Sequence, residues 1–494
     1  MSLGRTTRLF LIAVASSLSL LSCGGGETDT GPGGEALWEL TDANGVFVSQ
    51  ISIYQGVKIV LMENGAPGPG TVPIVAGRDA MMRVWLGTDA GYNGKPVVAR
   101  VTIDGVKEPI EVTSPVSGQP IEEDMASTLN IPIPGASIVP GFSYKLELLQ
   151  TRGQSKGDNP AAHWPAEGFS PTNAIAVGQT LKIVLVPIQY GADGSNRLPD
   201  TSEQMVTGYK DYFYGMYPAP QVEVTLHDVV TYNQDVDPFG FGWQELLGYI
   251  SDLRQQEQAA FDVYYYGIFN PANSINQYCG GGCVAGLSNL AFGPGDAYSR
   301  ASIGLGFSED GGALAWETAV HEVGHAHGRQ HSPCGGAQGT DPSYPYPGAK
   351  LGTWGYHLLT QQLYNPQAYS DVMGYCVPIW VSDFTYTHLM DRIKAVNQAK
   401  IIVPPELRNL TYDRAYIGQD DELHWLSPVT MEIPPQGEPI DMDIQLGSEV
   451  TTVSGHYYPY SHLPGGVFLW PQQGGPSPSV TIAWDGKYKT LLAH

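Results

Sequence analysis

Residues 317–331 contain the pattern from which the rest of the chain is interpreted: Glu317-Thr-Ala-Val-His321-Glu322-Val-Gly-His325-Ala-His327-Gly328-Arg-Gln-His331. His321 and His325 are four positions apart, so on a helix both imidazole rings project from one face and can bind one metal ion. Glu322 follows the first of them, where its carboxylate can reach a metal-bound water. The remaining helix faces are apolar, through Leu314, Trp316, Ala319, Val320 and Val323. The stretch therefore predicts a buried helix that carries a metal site.

The residues after this helix predict a third ligand. Gly328 is expected to let the chain leave the helix, because glycine tolerates left-handed backbone dihedrals. His331 can then turn back toward the metal. Three histidine ligands with an open fourth position are typical of a catalytic zinc site, whereas a structural site is closed. The sequence thus predicts one catalytic Zn²⁺ bound by His321, His325 and His331.

The alternative is a helix whose histidine and glutamate side chains are merely solvated or ion-paired. The short His-Glu-x-x-His pattern arises by chance in very roughly one chain in a hundred, and requiring Gly328 and His331 reduces that chance by roughly several hundred-fold. Four of the 12 histidines of the chain lie within this stretch, which the alternative leaves unexplained. His327 points to another helix face and is expected to be a surface histidine.

The extended pattern His-Glu-x-x-His-x-x-Gly-x-x-His resembles that of the metzincin zinc peptidases, over roughly residues 180–400. The resemblance implies a downstream tight turn with a methionine beneath the ligands, and Met373 in Tyr369-Ser-Asp-Val-Met373-Gly-Tyr375-Cys376 fits. Met373 is expected to be a packing residue and not a ligand. The spacing of Met373 and Tyr375 resembles that of astacins and serralysins, which implies that Tyr375 is an extra ligand or steadies the oxyanion. A packed core tyrosine is the alternative for Tyr375.

The first residues predict export. Arg5 and Arg8 precede a short apolar run, and the Leu-Leu-Ser-Cys23 that ends it resembles a bacterial lipobox. We therefore expect residues 1–22 to be a lipoprotein signal peptide, Cys23 to be the lipidated residue, and residues 23–37 to be a flexible tether. An ordinary signal peptide with a chance cysteine is the alternative. This predicts a cell-envelope lipoprotein, in the outer membrane or at the cell surface, attached to the membrane by its lipid alone.

The other four cysteines would then meet an oxidising compartment, where disulfides are the default. Three pairings are possible, one of which closes Cys279 on Cys283 and leaves Cys334 with Cys376. A bond from Cys334 to Cys376 would connect the zinc loop to the methionine turn. A zinc site built from the four cysteines is the alternative.

Composition limits the class of protein and its partners. The chain has 494 residues, of which 60 are Gly and 38 are Pro, which favours many turns and much β-structure. Its 49 acidic and 25 basic residues give a formal charge of −24, and removing residues 1–22 changes it to −26. Nucleic acid is therefore excluded as a partner, because binding phosphates needs a basic face.

The predicted fold class is multidomain α+β. Residues 38–172 read as short strands and a linker and predict an N-terminal β-sandwich domain. Residues 173–402 alternate strands and helices and predict a central α/β zinc peptidase domain, whose first helix starts at a capping box of Thr201 and Gln204. Residues 403–494 predict a small C-terminal β-domain. The metzincin resemblance also implies a strand near the motif helix that lines the cleft and pairs with extended substrate; Val284–Leu290 or Ala301–Phe307 is expected to be that strand, with an internal strand as the alternative.

The predicted function is that of a surface-anchored zinc endopeptidase that hydrolyses extracellular proteins or glycoproteins, with Glu322 as the general base toward a zinc-activated water. Residues 72–86 are similar to a segment of secreted metzincins that cleave mucin-type glycoproteins, a much weaker resemblance than the zinc motif. Two alternatives stay open: a zinc enzyme that hydrolyses another bond, and a silent or latent lipoprotein whose β-domains bind glycan or protein. The sequence leaves a calcium requirement and the cleavage specificity open.

Overall fold

The computed structural model describes residues 39–155, 157–446 and 449–492. The predicted signal peptide 1–22, the predicted lipidation site Cys23 and the whole of the predicted tether 23–37 lie outside the described residues. Strand makes up 37% and helix 17% of the structure, arranged in several sheets. No helix among the described residues is long and apolar enough to cross a membrane.

The regular elements of the N-terminal segment are β-strands and short 3-10 helices, connected by turns and loops. Its strands are β1 (Leu40–Asp42), β2 (Val46–Tyr54), β3 (Gly56–Glu63), β4 (Ala66–Pro67), β5 (Ala80–Thr88), β6 (Val97–Ile103), β7 (Ile110–Ser114), β8 (Leu129–Ile133), β9 (Ser143–Thr151), β10 (His163–Trp164) and β11 (Ser170–Pro171). One sheet has the order β1-β9-β6-β7, with β10 and β11 also on β9, and a second contains β3-β2-β5-β8. Alternate residues of β6 are buried, as expected for a strand with one face on a core. Buried residues of both sheets belong to one hydrophobic cluster.

The central segment contains the helices. Its elements are β12 (Thr180–Tyr190), α1 (Glu203–Met216), β13 (Gln221–Leu226), β14 (Val230–Tyr232), α2 (Trp243–Gln256), β15 (Val263–Phe269), α3 (Ile275–Cys279), β16 (Gly286–Ser288), β17 (Ala301–Leu305), α4 (Ala313–Ala326), β18 (Gly355–His357), β19 (Gln362–Tyr364), β20 (Ser370–Asp371), β21 (Ile379–Trp380) and α5 (Asp383–Gln398). The main sheet has the order β13-β12-β15-β17-β16, and β14 also pairs with β12. All of these pairs are parallel except β16, which runs antiparallel to β17 at the edge.

Two expectations about these elements are settled by the structure. The capping box predicted at Thr201 is wrong by one position: Ser202 is the N-cap of α1, and its hydroxyl accepts a hydrogen bond from the Met205 N–H. The physical reason is that the Asp200 carboxylate accepts from the Ser202 N–H and so orients Ser202 as the cap. Of the two candidate edge segments, 284–290 contains the edge strand β16, whereas 301–307 contains β17, which is internal.

The C-terminal segment forms a single antiparallel sheet. Its strands are β22 (Leu410–Ile417), β23 (Leu423–Met431), β24 (Glu438–Leu446), β25 (Glu449–Pro459), β26 (Gly466–Pro471), β27 (Ser479–Trp484) and β28 (Lys487–Leu492), in the order β23-β22-β26-β25-β24-β27-β28. One face of this sheet packs on α2 and on the main sheet, since Tyr458 and Leu469 share a hydrophobic cluster with Trp243 and Ile303. The connection between β25 and β26 consequently lies beside the edge strand β16.

The N-terminal and central segments are joined through backbone pairing and a common core. Strand β18 pairs with β3, so β18 and β19 extend the second N-terminal sheet. The indole N–H of Trp380 donates to the carbonyl of Gly56 at 2.8 Å. One hydrophobic cluster extends from Ala43 to Ile393. The N-terminal sheets therefore support the elements that follow the metal-binding motif.

Candidate metal centre

Helix α4 carries the motif and is buried along most of its length. It packs on α1 and on strands β15, β16 and β17, and every residue from Thr318 to Ala326 is buried. The helix ends as the sequence predicted: Gly328 has a φ of +79°, and a Cβ there would lie 2.8 Å from the Ala291 carbonyl oxygen. Glycine is needed at this position because of the positive φ and because a side chain would collide with this carbonyl. The turn at Gly328 brings the chain back so that His331 faces the helix.

The three predicted ligands come together, each with its Nδ1 against a backbone carbonyl. His321 Nδ1 lies 2.7 Å from the Val372 carbonyl, His325 Nδ1 2.6 Å from that of Arg329, and His331 Nδ1 2.5 Å from that of Gln338. Because a carbonyl oxygen only accepts, each Nδ1 must carry the proton and donate it. Each Nε2 therefore presents a lone pair, and the Nε2 atoms of His321 and His325 are 3.1 Å apart. This is the tautomer that binds a metal ion, held by backbone partners.

The electrostatics of the pocket also favour neutral imidazoles. Burial lowers the pKa of His321 to about 3 and that of His331 to about 4, and it holds the pKa of His325 well below its usual range. At neutral pH these rings are unprotonated at Nε2, so a metal ion does not have to displace a proton.

A fourth histidine belongs to the group. The potential ligand atoms of His321, His325, His331 and His462 all lie within 4.8 Å of one another, so the group can bind a metal ion. His462 comes from the connection between β25 and β26, in the C-terminal sheet. The sequence analysis missed it, because it is far from the motif along the chain and no local spacing connects it to the other three. Only the packing of the C-terminal sheet beside β16 brings it there.

Glu322 lies next to this group in a fully enclosed position. Its side chain is 2% exposed, with Oε1 2.6 Å from His462 Nε2, and Oε2 accepts a hydrogen bond from the Ser461 hydroxyl at 3.3 Å. A Cβ on Gly286 would lie 2.5 Å from Oε1, so the edge strand leaves room for this carboxylate. Burial raises the pKa of Glu322 to about 8, which suits a group that exchanges protons near neutral pH.

The methionine turn lies beneath the helix. Met373 is 1% exposed, and a Cβ on Gly324 would lie 2.5 Å from its sulfur, so the side chain packs against α4 between the first two ligands. Asp371, fully buried, holds the turn: its carboxylate accepts from the Ser332 hydroxyl at 2.6 Å and from the Ser382 N–H at 2.9 Å. The turn is thereby tied both to the loop after His331 and to α5.

Tyr375 reaches the rim of the histidine group. Its hydroxyl is 3.3 Å from His331 Nε2 and 2.5 Å from His462 Nδ1. The side chain is 43% exposed, so it is not a packed core tyrosine. A hydroxyl at this position can donate a hydrogen bond to an oxygen that approaches the histidines.

Both disulfides expected from the sequence are present. Cys334 is bonded to Cys376, and Cys279 is bonded to Cys283. The first joins the loop after His331 to the methionine turn. The second closes a short turn just before the edge strand. The alternative, a zinc site made of the four cysteines, is therefore excluded.

The expectation that His327 is a surface residue is wrong. His327 is 1% exposed, its ring stacks on Tyr264 with centroids 4.3 Å apart, and its Nδ1 lies 2.8 Å from the Val323 carbonyl. The reason is that α4 is enclosed on this side too, since Tyr264 belongs to β15 of the main sheet. His327 is a core residue outside the four-histidine group.

An open cleft of about 400 Å³ adjoins the histidines. One wall is the edge segment at Val284, Ala285 and Gly286, and the opposite wall follows the methionine turn at Val377 and Ile379. His321, Glu322, Tyr375 and His462 lie between them. The cleft is thus apolar on both sides with its polar groups converging on one point, as in enzyme active sites.

Comparison of the sequence with known protein families and with curated proteins finds no match to this chain.

Proposed function

We propose that this chain is a zinc-dependent endopeptidase of the cell envelope, with Zn²⁺ bound by His321, His325 and His331 and with Glu322 as general base. The observation that carries the proposal is the convergence of three histidine Nε2 lone pairs beside a buried glutamate in a cleft bounded by an edge strand. Neutral imidazoles are preferred zinc ligands.

A bound zinc ion supplies Lewis acidity, which activates water and polarises a carbonyl. Glu322 takes a proton from the attacking water and passes it to the leaving amine, for which its raised pKa is suited. Tyr375 donates a hydrogen bond from its hydroxyl to the carbonyl oxygen as negative charge develops there. Once residues 459–461, which pair with it, have moved away, the edge of β16 aligns an extended peptide by main-chain hydrogen bonds.

The setting proposed with this activity is extracellular. Two disulfides fit an oxidising compartment. We propose that a lipid on Cys23 attaches the chain to the outer membrane or cell surface, and that its substrates are proteins or glycoproteins outside the cell. The proposed organisation is an N-terminal β-sandwich over 38–172, a peptidase domain over 173–402 and a β-domain over 403–494, which together make a multidomain α+β protein.

The test is the isosteric variant Glu322→Gln. It is expected to keep zinc at the stoichiometry of the parent protein and to cut an unbiased peptide library at least ~100-fold more slowly, because the general base is lost. Zinc content and cleavage products are measured on the same preparations. Glu223→Gln, on the exposed side of β13, is the control and should change neither. Unchanged cleavage by Glu322→Gln would rule the proposal out.

A second candidate is a silent or latent lipoprotein. The contacts of Ser461 and His462 with Glu322 favour it, because they place the C-terminal segment over the groups that chemistry would need. A parent protein and a His462→Ala variant that both bind zinc and both leave the library uncut would support this candidate.

A further inference from the structure

The connection between β25 and β26 lies along the edge strand like an added strand. The N–H of Leu290 donates to the Pro459 carbonyl at 3.2 Å, and the N–H of Ser461 donates to the Ser288 carbonyl at 3.0 Å. Ser461 also accepts, through its hydroxyl, from the N–H of Ser288 at 3.0 Å. The pairing is antiparallel, through the bridge between Asn289 and Tyr460. Residues 459–462, here called the cap segment, therefore occupy the edge to which an extended peptide would add.

The cap segment places His462 so that the four imidazole rings lie approximately at the corners of a tetrahedron. The ring centroids of His321, His325 and His331 are 4.6–5.3 Å apart, and the centroid of His462 is 4.8–5.2 Å from each of them. Four imidazoles bound through nitrogen to one tetrahedral zinc ion at about 2.05 Å would place their centroids about 5.2 Å apart. The four rings are already close to that arrangement.

The nitrogens of His462 are oriented for this role. Nδ1 is 2.5 Å from the Tyr375 hydroxyl. Nε2 approaches Oε1 of Glu322 to 2.6 Å but is not aligned as a hydrogen bond, and it has no hydrogen-bond partner among the described residues. The side chain is 12% exposed. Nε2 thus lies against the Glu322 carboxylate without a hydrogen bond and is available to a metal ion, while Nδ1 is held by a hydroxyl, as the second ring nitrogen of a ligand commonly is.

We propose that His462 is a fourth ligand of the metal ion and that the cap segment holds the site closed. The inference rests on the proposed function for the identity of the metal. A site with four protein ligands leaves no position for water, and both carboxylate oxygens of Glu322 face the cap segment. A peptide must therefore displace the cap segment from the Ser288 edge before it can be cut, and the full-length chain turns over slowly.

The experiment compares the full-length protein with His462→Ala and His462→Gln, each loaded with Co²⁺ and with Zn²⁺. The visible spectrum of the cobalt protein reports its ligand set, and competition with a chromophoric chelator gives the zinc affinity. Losing one imidazole should change the cobalt spectrum, weaken zinc binding at least ~10-fold and raise library cleavage at least ~10-fold. His424→Ala removes an exposed histidine of the same sheet and should match the parent protein.

The results separate this inference from the proposed function. Identical cobalt spectra and zinc affinities for the parent protein and both His462 variants would overturn it, whatever the activity, because His462 would then not be a ligand. Slower cleavage by both variants would also overturn the inference, because His462 would then assist cleavage and not hold the site closed. A changed spectrum and a weaker affinity with no cleavage by any form would leave His462 as a ligand and reject the peptidase. Absence of metal binding in every form would reject both.

Discussion

At the scale of single residues, a glycine makes room for the proposed general base. Gly286 faces Glu322 from the edge strand, and a Cβ there would lie 2.5 Å from Oε1 and 2.6 Å from Cγ of that side chain. The carboxylate cannot yield easily, because the Glu322 side chain is only 2% exposed. The position of Glu322 is therefore set by the absence of a side chain on the neighbouring strand.

Gly286→Ala is accordingly expected to displace the Glu322 carboxylate while leaving the histidines in place. A misplacement on the order of 1 Å at a reacting group costs about 100-fold in rate. We expect zinc content to be unchanged and kcat to fall by about that factor relative to the parent protein, as measured by steady-state cleavage of a library-derived peptide. Gly281→Ala, where a Cβ meets nothing within 4 Å, is the control. Equal rates for the two variants would contradict this account of Gly286.

The residue scale also shows what a local pattern can and cannot predict. His321, His325 and His331 were predictable because helix periodicity and one glycine determine where their rings point. The burial of His327 was not, since it depends on Tyr264 in a strand more than 60 positions earlier. His462 was not predictable either, because its place results from the packing of a whole sheet.

At the scale of elements, the loop after His331 and the methionine turn are fastened to each other. The Cys334–Cys376 disulfide closes a loop of 42 residues, and the N–H of Ser332 donates to the Met373 carbonyl at 2.9 Å. Because this loop carries His331 and the turn carries the carbonyl that orients His321, the two ligands depend on one connection.

Replacing Cys334 and Cys376 together by alanine is expected to lower the free energy of unfolding by about 4 kcal/mol, from the chain entropy of a loop of this length. Zinc affinity should fall as well, because His331 loses its support. Urea denaturation and chelator competition measure the two effects. The matched variant lacks Cys279 and Cys283, whose bond spans only 4 residues, and should lose about 2 kcal/mol without a change in zinc affinity. If removing Cys279 and Cys283 lowered the zinc affinity more than removing Cys334 and Cys376 did, the role assigned to the Cys334–Cys376 bond would be contradicted.

Element boundaries were predictable only in part. The apolar spacing of Met205, Tyr209, Tyr212, Phe213 and Met216 predicted the buried face of α1, and all of them are buried except Tyr212, which is half-buried. Its first residue was misplaced because the hydrogen bond from Ser202 to the Asp200 carboxylate competes with the local capping pattern. The position of β16 at the sheet edge depends on strand order, which the residues of β16 do not encode.

At the scale of the whole molecule, a buried arginine links the first segment to the central one. Arg78 is fully buried, and its guanidinium donates to the Tyr217 carbonyl at 3.1 Å and to the Ala219 carbonyl at 2.7 Å. The same guanidinium lies over the ring of Tyr214. These acceptors lie at the end of α1 or just after it, so the N-terminal segment stabilises the central segment directly. The sequence analysis treated the two as consecutive domains and had no means to detect this contact.

Arg78→Ala should therefore destabilise the central segment although the residue lies outside it. Leaving buried carbonyls without their charged donor is expected to cost about 3 kcal/mol or more. Unfolding in urea, monitored by tryptophan fluorescence, and the release of zinc should share one midpoint. That midpoint should lie at a lower urea concentration than in the parent protein. Arg100→Ala removes an exposed ion pair with Glu111 and should cost less than about 1 kcal/mol. Zinc release that stayed at the parent midpoint in Arg78→Ala would show that the two segments unfold independently.

The antiparallel pairing of the cap segment with β16 bears on the direction in which a bound peptide would lie. A strand can add to an edge in either direction, and the cap segment uses the antiparallel one. The chain from Pro459 to His462 runs opposite to β16, starting at Leu290 and moving toward Gly286. A peptide that paired with this edge in the same antiparallel direction would have its amino end near Leu290 and its carboxyl end toward the cleft residues Val284 and Val377. For the proposed peptidase, the direction of this one short strand would then determine which substrate side chains lie before the cut bond and which lie after it.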